Sequence, residues 1–404
     1  MRIGVVGLGY VGLVTAAVLA GNNNSVFGIE VDTSRIKMLR PRKTPIFETE
    51  LDERIRNAGS NLDFSSNYSK LSKCDVVFIC VPTPKIDNKI DLRYVLSAAD
   101  KVKKYSTPLD LVIKSTVSPE TARMISELTG MNIVSNPEFT REGSAARDTE
   151  RPDRIAIGEK SVENVEKIWE FTGSSVVFTT DENAELIKYA SDAFLAVKIS
   201  FINQIADLCE KVPGTDVNVV AEGMGMDRRI GREFLKAGVG YAGSCFPKET
   251  VEISSFGESN GVDLTIVKSA IHYNDGRVPI LVNKIRENLG TLSGKSVCVL
   301  GLSFKDNTDD LRESRSIKII ESMKKEGAIV MAYDPVVLRK EDIDIISDMG
   351  GCISYAEVVI TATEWRDFSN IDPSLLKRKK VFDFRRVFDL EEIELTMGVG
   401  IGKN

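Results

Sequence analysis

The sequence predicts an α/β protein: two doubly wound parallel-sheet domains joined by a helical central domain built on one long helix. Three observations predict it. A glycine turn near the N-terminus separates a strand-like apolar run from an apolar helix. The same strand-then-glycine wording returns near residue 297. Between them, residues 181–289 carry helical periodicity and no strand pattern.

The elements follow in order. Residues 2–6 read as a buried parallel strand, 7–12 as a glycine turn, 11–20 as an apolar helix, 22–24 as a turn and 25–30 as a second strand. This is a βαβ unit. Strand-like runs recur at 75–81, 109–115 and 132–135, with helical patterns at 92–104 and 119–128 between them. Such alternation predicts a parallel sheet covered on both faces. After a further apolar run at 175–178 the first domain closes, giving bounds of 1–180.

Residues 181–211 then repeat Leu186, Tyr189, Ala190, Ala193, Phe194 and Val197 at spacings of three and four, and 216–224 and 265–289 are also helical. They define a central domain, 181–290. A long apolar helix of this kind serves either as a subunit interface or as an internal core helix. Strands return at 296–302, 328–333, 357–361 and 380–384, with a helix at 314–326, giving a third domain at 291–404. Val297-Cys298-Val299-Leu300-Gly301-Leu302 echoes Ile3-Gly4-Val5-Val6-Gly7-Leu8. The second copy lacks the full glycine fingerprint, so it need not bind a dinucleotide.

Composition narrows the function. The 404 residues suit two or three domains at about 150 residues each. With 42 % hydrophobic and 28 % charged residues the chain has the profile of a globular protein with ample core. A net charge of −6 argues against nucleic acid or an anionic membrane as main partner. The only histidine is His272, which excludes a multi-histidine zinc site and leaves the chemistry to cysteine, lysine or carboxylates. The six cysteines (Cys74, Cys80, Cys209, Cys245, Cys298 and Cys352) contain no C-x-x-C pair, so no metal site is expected. They read as reduced thiols in the cytoplasm, five of them in the core. The uncharged run 3–29 imitates a signal peptide. Its glycines and the Asn22–Asn24 turn fit the strand–turn–helix–strand reading instead.

Gly7-x-Gly9-x-x-Gly12 is a dinucleotide fingerprint. The first glycine permits the tight turn, the second lets a pyrophosphate approach the backbone, and the third lets helix and strand pack closely. The helix N-terminus then offers free N–H groups to the anion. Glu30 closes the next strand, near the ~20-residue spacing of the acid that binds the adenosine ribose. Its charge favours NAD over NADP, with Arg35 placed to offset it.

The second unusual stretch is Gly238-Val239-Gly240-Tyr241-Ala242-Gly243-Ser244-Cys245-Phe246-Pro247-Lys248-Glu249. Glycines let the backbone approach a ligand, and Lys248 could help hold Cys245 as the nucleophilic thiolate. Glu249 is a nearby acid or base; alternatively, Cys245 is a loop cysteine that merely packs. Thr116, Glu138 and Glu142 follow predicted strand ends, where a doubly wound sheet binds its ligand. On their own, Glu138 and Glu142 could equally sit in a solvated loop.

Jointly these motifs resemble the UDP-glucose 6-dehydrogenase family, within the UDP-glucose/GDP-mannose dehydrogenases. The resemblance spans essentially the whole chain. It rests on Gly7-Leu8-Gly9-Tyr10-Val11-Gly12, Cys80-Val81-Pro82-Thr83-Pro84, Lys114-Ser115-Thr116-Val117 and the segment 136–143. It continues through Glu185-Leu186-Ile187-Lys188-Tyr189-Ala190, Gly243-Ser244-Cys245-Phe246-Pro247-Lys248 and Gly301-Leu302-Ser303-Phe304-Lys305. It implies two Rossmann-like domains, one for NAD and one for the UDP-sugar, around a helical dimerisation core, and hence a homodimer.

The implied reaction oxidises the sugar CH2OH to a carboxylate with two NAD. The resemblance assigns removal of the alcohol proton to Lys188 and Glu249 through water, capture of the aldehyde to Cys245, and acid/base work in thioester hydrolysis to Glu138. Lys188 would stabilise the oxyanion and Thr116 position the water. Tyr10, Val11, Val81, Pro82 and Thr83 are implied about NAD, as are Thr116, Glu142, Lys248 and Arg312. For the nucleotide sugar the resemblance points to Glu138, Phe139, Glu142 and Asp192, to Phe234, Leu235, Lys236, Gly238 and Tyr241, and to Arg229 reaching across the dimer. Phe304, Lys305 and Arg385 would serve the UDP side.

Three positions depart from the family pattern. Glu249 stands where Asp is usual, Asp192 where Asn is usual, and Glu30 where Asp is commoner. An amide donates to an oxyanion and an ionised carboxylate does not, so Asp192 would act protonated or by orienting Lys188. The leading expectation is an enzyme making UDP-glucuronate from UDP-glucose. The alternatives are the same chemistry on GDP-mannose or a UDP-N-acetyl-sugar, and a nucleotide-sugar-binding protein with weakened catalysis.

Overall fold

The computed structural model describes residues 1–86, 89–158 and 162–403. The chain divides into two compact units, 1–191 and 192–404.

In the first unit, strand β1 (Arg2–Val6) leads into helix α1 (Tyr10–Gly21), followed by β2 (Ser25–Ile29), β3 (Leu62–Ser65) and β4 (Val76–Ile79). Helix α2 (Arg93–Tyr105), β5 (Asp110–Ile113), α3 (Thr121–Thr129) and β6 (Ile133–Ser135) complete the main sheet. All pairs are parallel and the order is β3-β2-β1-β4-β5-β6. The order reverses between β1 and β4, the switch point at which such sheets bind ligands. The strands alternate their side chains between the two faces. Ile3, Val5 and Phe78 join the core under α1, while Val6, Val77 and Ile79 join the core under α2 and α3. The run that imitates a signal peptide is α1, buried without interruption from Gly12 to Ala20. A separate parallel pair, β7 (Ile155–Gly158) and β8 (Val176–Thr179), ends the α/β part.

Helix α4 (Asp181–Cys209) begins in the first unit and continues into the second. The second unit adds α5 (Val217–Gly225), α6 (Phe246–Ser259) and α7 (Thr265–Leu289). A second parallel sheet follows: β9 (Ser296–Leu300), helix α8 (Arg315–Lys325), β10 (Ile329–Tyr333), β11 (Asp344–Ile345), β12 (Val358–Thr361), β13 (Lys380–Asp383) and β14 (Met397–Gly400). Its order, β11-β10-β9-β12-β13-β14, repeats that of the first. The predicted class, parallel α/β sheets with a helical centre, is therefore the observed one. No described helix is long and apolar enough to cross a membrane.

One local expectation needs correction. Cys245 was read as lying in a loop, yet it is the N-cap of α6, a helix of 14 residues. Pro247 and Glu249 in the first turn are the sequence signals for that start. The glycines just before it mask them.

Candidate active site

In the first unit the glycine turn is built as its sequence implies. Gly7 has φ +90°, and a Cβ there would lie 2.8 Å from the Cys80 carbonyl oxygen. A Cβ on Gly12 would lie 1.8 Å from the Gly7 carbonyl oxygen. A Cβ on Gly9 would meet nothing within 4 Å, so that backbone is open to a ligand. Glu30 directly follows β2 beside the turn, accepting Leu8 N–H at 2.9 Å and Asp32 N–H at 3.0 Å. A carboxylate has about four lone-pair sites, so capacity remains for ribose hydroxyls. Arg35 donates to the Leu8 carbonyl at 3.3 Å, which puts its guanidinium next to Glu30's loop. An open Gly9, an obligatory Gly12 and a ribose-side acid fit NAD.

The other strand ends close on this turn. Thr83 Oγ1 donates to the Thr116 carbonyl at 2.8 Å, and Ser115 Oγ donates to the Val81 carbonyl at 2.7 Å. Val81, Pro82, Thr83 and Thr116 are thus brought together at the carboxyl ends of β4 and β5. Gly143 N–H donates to the Tyr10 hydroxyl at 2.7 Å and to Glu48 at 2.6 Å, tying the loop after β6, with Glu142, to the start of α1. Val11 packs against the core beneath α1.

Glu138 and Lys188 form a buried pair, Oε1 to Nζ 3.6 Å, on the β6 loop and α4. The other Glu138 oxygen accepts Thr140 N–H at 2.6 Å. Phe139 sits beneath two cations, with Arg154 3.9 Å and Lys188 5.9 Å from its ring centroid. Lys114, Asn136, Glu138, Phe139, Arg154 and Trp169 line one small cavity. Lys114 lies 4.8 Å over the Trp169 ring, and burial holds its ammonium below the ordinary lysine range. Sequence reasoning missed Lys114 and Arg154 as site residues, although Lys114 opens one of the motifs.

The second unit holds the cysteine. Cys245 is half-buried, whereas the other five cysteines are buried free thiols. Glu249 lies in the first turn of α6, buried, and its N–H donates to the Cys245 carbonyl at 2.8 Å. The free N–H groups of a helix start favour negative charge at this place. Lys248, in the same turn, is half-buried.

A frame of buried polar side chains holds the glycine loop ahead of the cysteine. Asn203 accepts Gly238 N–H at 2.8 Å, and Arg277 donates to the Gly238 carbonyl at 3.0 Å. Asn274 binds both Tyr241 backbone groups, at 2.8 and 3.1 Å, and Arg315 donates to the Tyr241 carbonyl at 3.1 Å. No local pattern marks these four, because each reads as an ordinary polar residue on a helix. Tyr241 is buried, and burial pushes its hydroxyl up to about 12. Phe234 has φ +63° and stacks edge-on with Phe246, as does Tyr241. Leu235 packs its side chain into the core.

Several predicted UDP-side residues also converge. A Cβ on Gly238 would touch Arg385 at 2.6 Å, and one on Gly243 would touch the Phe304 ring at 2.8 Å. Lys305 lies 5.9 Å over that ring. Lys236 pairs with Glu364. Burial alone would raise the Glu364 carboxyl, but Arg385, Lys236 and Lys305 hold it below its ordinary value. This basic cluster can take a diphosphate. Arg229 and Arg312 lie apart in character: both are exposed and bidentate on Asp227 and Asp310. Asp192 is buried on α4, one turn beyond Lys188.

Sequence comparison agrees with this layout. The NAD binding, central and UDP binding domain models of one family match residues 1–171, 182–276 and 298–390. The chain belongs to the UDP-glucose/GDP-mannose dehydrogenase family. Like that family, it is an NAD-dependent oxidoreductase acting on a nucleotide sugar. It is similar to the UDP-glucose 6-dehydrogenase YwqF of Bacillus subtilis (strain 168), 38 % identical over 97 % of this chain and 95 % of the relative. Among solved structures it resembles a UDP-glucose dehydrogenase from Pyrobaculum islandicum, with TM-score 0.92 and 35 % identity over 100 % of this chain and 98 % of the other. It also resembles a UDP-D-ManNAc dehydrogenase from Pyrococcus horikoshii, with TM-score 0.88 and 25 % identity over 100 % and 99 % of the two chains. The family's dehydrogenases thus differ in the sugar their names carry.

Proposed function

We propose that this dehydrogenase oxidises UDP-glucose to UDP-glucuronate through a covalent intermediate on Cys245. The observation that carries the reading is the half-buried thiol at the start of α6, with the Glu249 carboxylate one turn inside and the glycine loop held ahead of it. The UDP-glucose 6-dehydrogenase relatives at 38 % identity support the choice of sugar.

NAD, which the glycine turn and Glu30 would hold, would supply the hydride acceptor for each of the two oxidations of the sugar carbon. Lys188 and Glu249 take the alcohol proton through water, leaving an aldehyde. The Cys245 thiolate adds to the aldehyde carbon, forming the C–S bond, and the oxygen takes a proton. Loss of the second hydride and that proton leaves a thioester. Water then attacks the thioester with Glu138 as acid/base, the C–S bond breaks, and the carboxylate and the thiolate are released. Lys188 stabilises the oxyanion at the additions and Thr116 orients the water. Covalent capture keeps the aldehyde from escaping between oxidations.

In this reading Glu30 and Arg35 take the adenosine ribose, and the Lys236, Lys305 and Arg385 cluster takes the diphosphate. We also propose domain bounds of 1–180, 181–290 and 291–404, a homodimer in which Arg229 reaches the partner's site, and a cytoplasmic location that suits six free thiols. A second reading keeps the chemistry and changes the sugar to GDP-mannose or a UDP-N-acetyl-sugar. Its support is Asp192, which departs from the usual amide, and the likeness to a UDP-D-ManNAc dehydrogenase.

The test is a panel of these nucleotide sugars, followed by NADH absorbance and acid product. The expected result is turnover with UDP-glucose and at least tenfold less with the others. Cys245→Ser is expected to abolish acid formation; full turnover by that variant contradicts the thioester route.

A further inference from the structure

Glu185 is a buried acid of the first unit with no part in the proposed steps. Glu185 lies on α4, between Asp181 one turn before it and Lys188 one turn after it. It is 3 % exposed, and it joins two separate segments of the chain. Its Oε1 accepts Ala122 N–H, in the first turn of α3, at 2.9 Å. The same oxygen accepts the Ser135 hydroxyl, at the end of β6, at 3.0 Å. Asp181 supports the same strand end by accepting Ser135 N–H at 2.7 Å. Lys188, on the next turn of the helix, pairs with Glu138, three residues beyond Ser135.

These contacts converge on the proposed chemistry. Helix α3 starts directly after the turn that carries Thr116, so holding Ala122 holds the end of that turn. Ser135 begins the loop that carries Glu138. Lys188 shares the helix with Glu185 itself. We propose that Glu185 is a positioning residue for the oxidation, holding the Thr116 turn, the Glu138 loop and Lys188 in one arrangement. The proposal rests on the roles given above to those three residues.

The same surroundings set the form in which it works. Its Oε2 is buried with no hydrogen-bond partner, and among the described residues no cation pairs with it. The charged groups around it are mostly acidic: Asp181 on its own helix and Glu120 at the α3 N-cap. Arg123 is engaged by Glu120 and Glu182, and Lys188 by Glu138. Burial, with Asp181 adding to it, pushes the Glu185 carboxyl up to about 8. Below that pH the carboxyl is neutral and carries its proton on the unpartnered oxygen. Above it a buried negative charge forms next to that of Asp181. The ionised carboxylate then repels Asp181, which holds the same Ser135 strand end.

The experiment compares kcat and KM from pH 6 to 9.5 for the wild-type chain, Glu185→Gln and Glu185→Leu, with whichever nucleotide sugar the wild type oxidises. Glutamine keeps the shape and cannot ionise. It is expected to keep kcat within threefold at pH 7 and to move the alkaline fall in kcat upward by at least one pH unit. Leucine breaks both hydrogen bonds and is expected to lower kcat tenfold or more, with KM for NAD changed less than threefold. An unshifted alkaline limb in Glu185→Gln overturns the proposal, as does wild-type kcat in Glu185→Leu. If the leucine variant does not fold, the glutamine profile alone decides. The wild-type arm reads the function itself: a chain that oxidises no sugar of the panel contradicts that reading, whereas an active chain with an unmoved glutamine profile contradicts only the role of Glu185.

Discussion

Three glycines within six residues perform two different tasks. Gly12 is there for packing, since a Cβ would stand 1.8 Å from the Gly7 carbonyl oxygen and force helix and strand apart. Gly9 has no such packing need, since a Cβ would meet nothing within 4 Å of protein, and its open backbone suits the proposed approach of NAD. Substitutions at the two sites therefore separate. Gly12→Ala is expected to destabilise the chain by roughly 2 kcal/mol or more, in the range for overpacking a filled site, and thermal melts measure it. Gly9→Val is expected to leave the melting temperature within a few degrees while weakening NAD binding at least tenfold by titration. Equal melting shifts for the two variants would contradict the assignment. Residue chemistry of this kind was legible in the sequence wherever a motif fixes spacing: the glycine turn, Glu30, Cys245 and Lys188. Asn203, Asn274, Arg277 and Arg315 were not, because they meet the glycine loop only through folding and no short-range pattern marks them.

Helices and strands show the same division. Helix α7 runs from Thr265 to Leu289 and β1 from Arg2 to Val6, the bounds their apolar patterns predict. The edge strands β3, β11 and β14 escaped notice. Leu62–Ser65 has polar residues at two of four places, Asp344–Ile345 is two residues long, and Met397–Gly400 has two glycines, so none shows a strong strand signal. The long helix α4 was ambiguous for a different reason. It is apolar on two sides: Tyr189 and Ala193 are buried, while Phe194, Phe201 and Leu208 stand at spacings of seven and are 64 %, 44 % and 58 % exposed. Seven residues return to nearly the same face of a helix, so these three side chains form one exposed apolar stripe. Such a stripe suits the proposed homodimer. Phe201→Asp is expected to convert the dimer to monomer in light scattering, with far-ultraviolet circular dichroism unchanged. A wild-type chain that is already monomeric, or a dimer unaffected by this change, would place the interface elsewhere.

At the scale of the whole molecule, the two sheets share a topology but have different ligand chemistry. Gly301 repeats the conformation of Gly7, φ +92° against +90°, and Asp334 repeats Glu30 by accepting the N–H that follows. Asp334, however, is 2 % exposed and also binds the N–H groups of Ser303, Val336 and Val337. Its lone pairs are taken by the protein, so the second sheet has lost the ribose acid and kept the architecture. In the proposed reading the cluster of Lys236, Lys305 and Arg385 takes the ligand's charge in that unit instead. The single histidine, His272, is exposed on α7, in keeping with a chemistry run by a thiol, a lysine and carboxylates. In the proposed reaction one chain performs both oxidations and releases a carboxylate. The most direct test is the NADH formed per UDP-glucose consumed at completion. A ratio near two is expected; a ratio near one, with aldehyde released, would contradict the double oxidation.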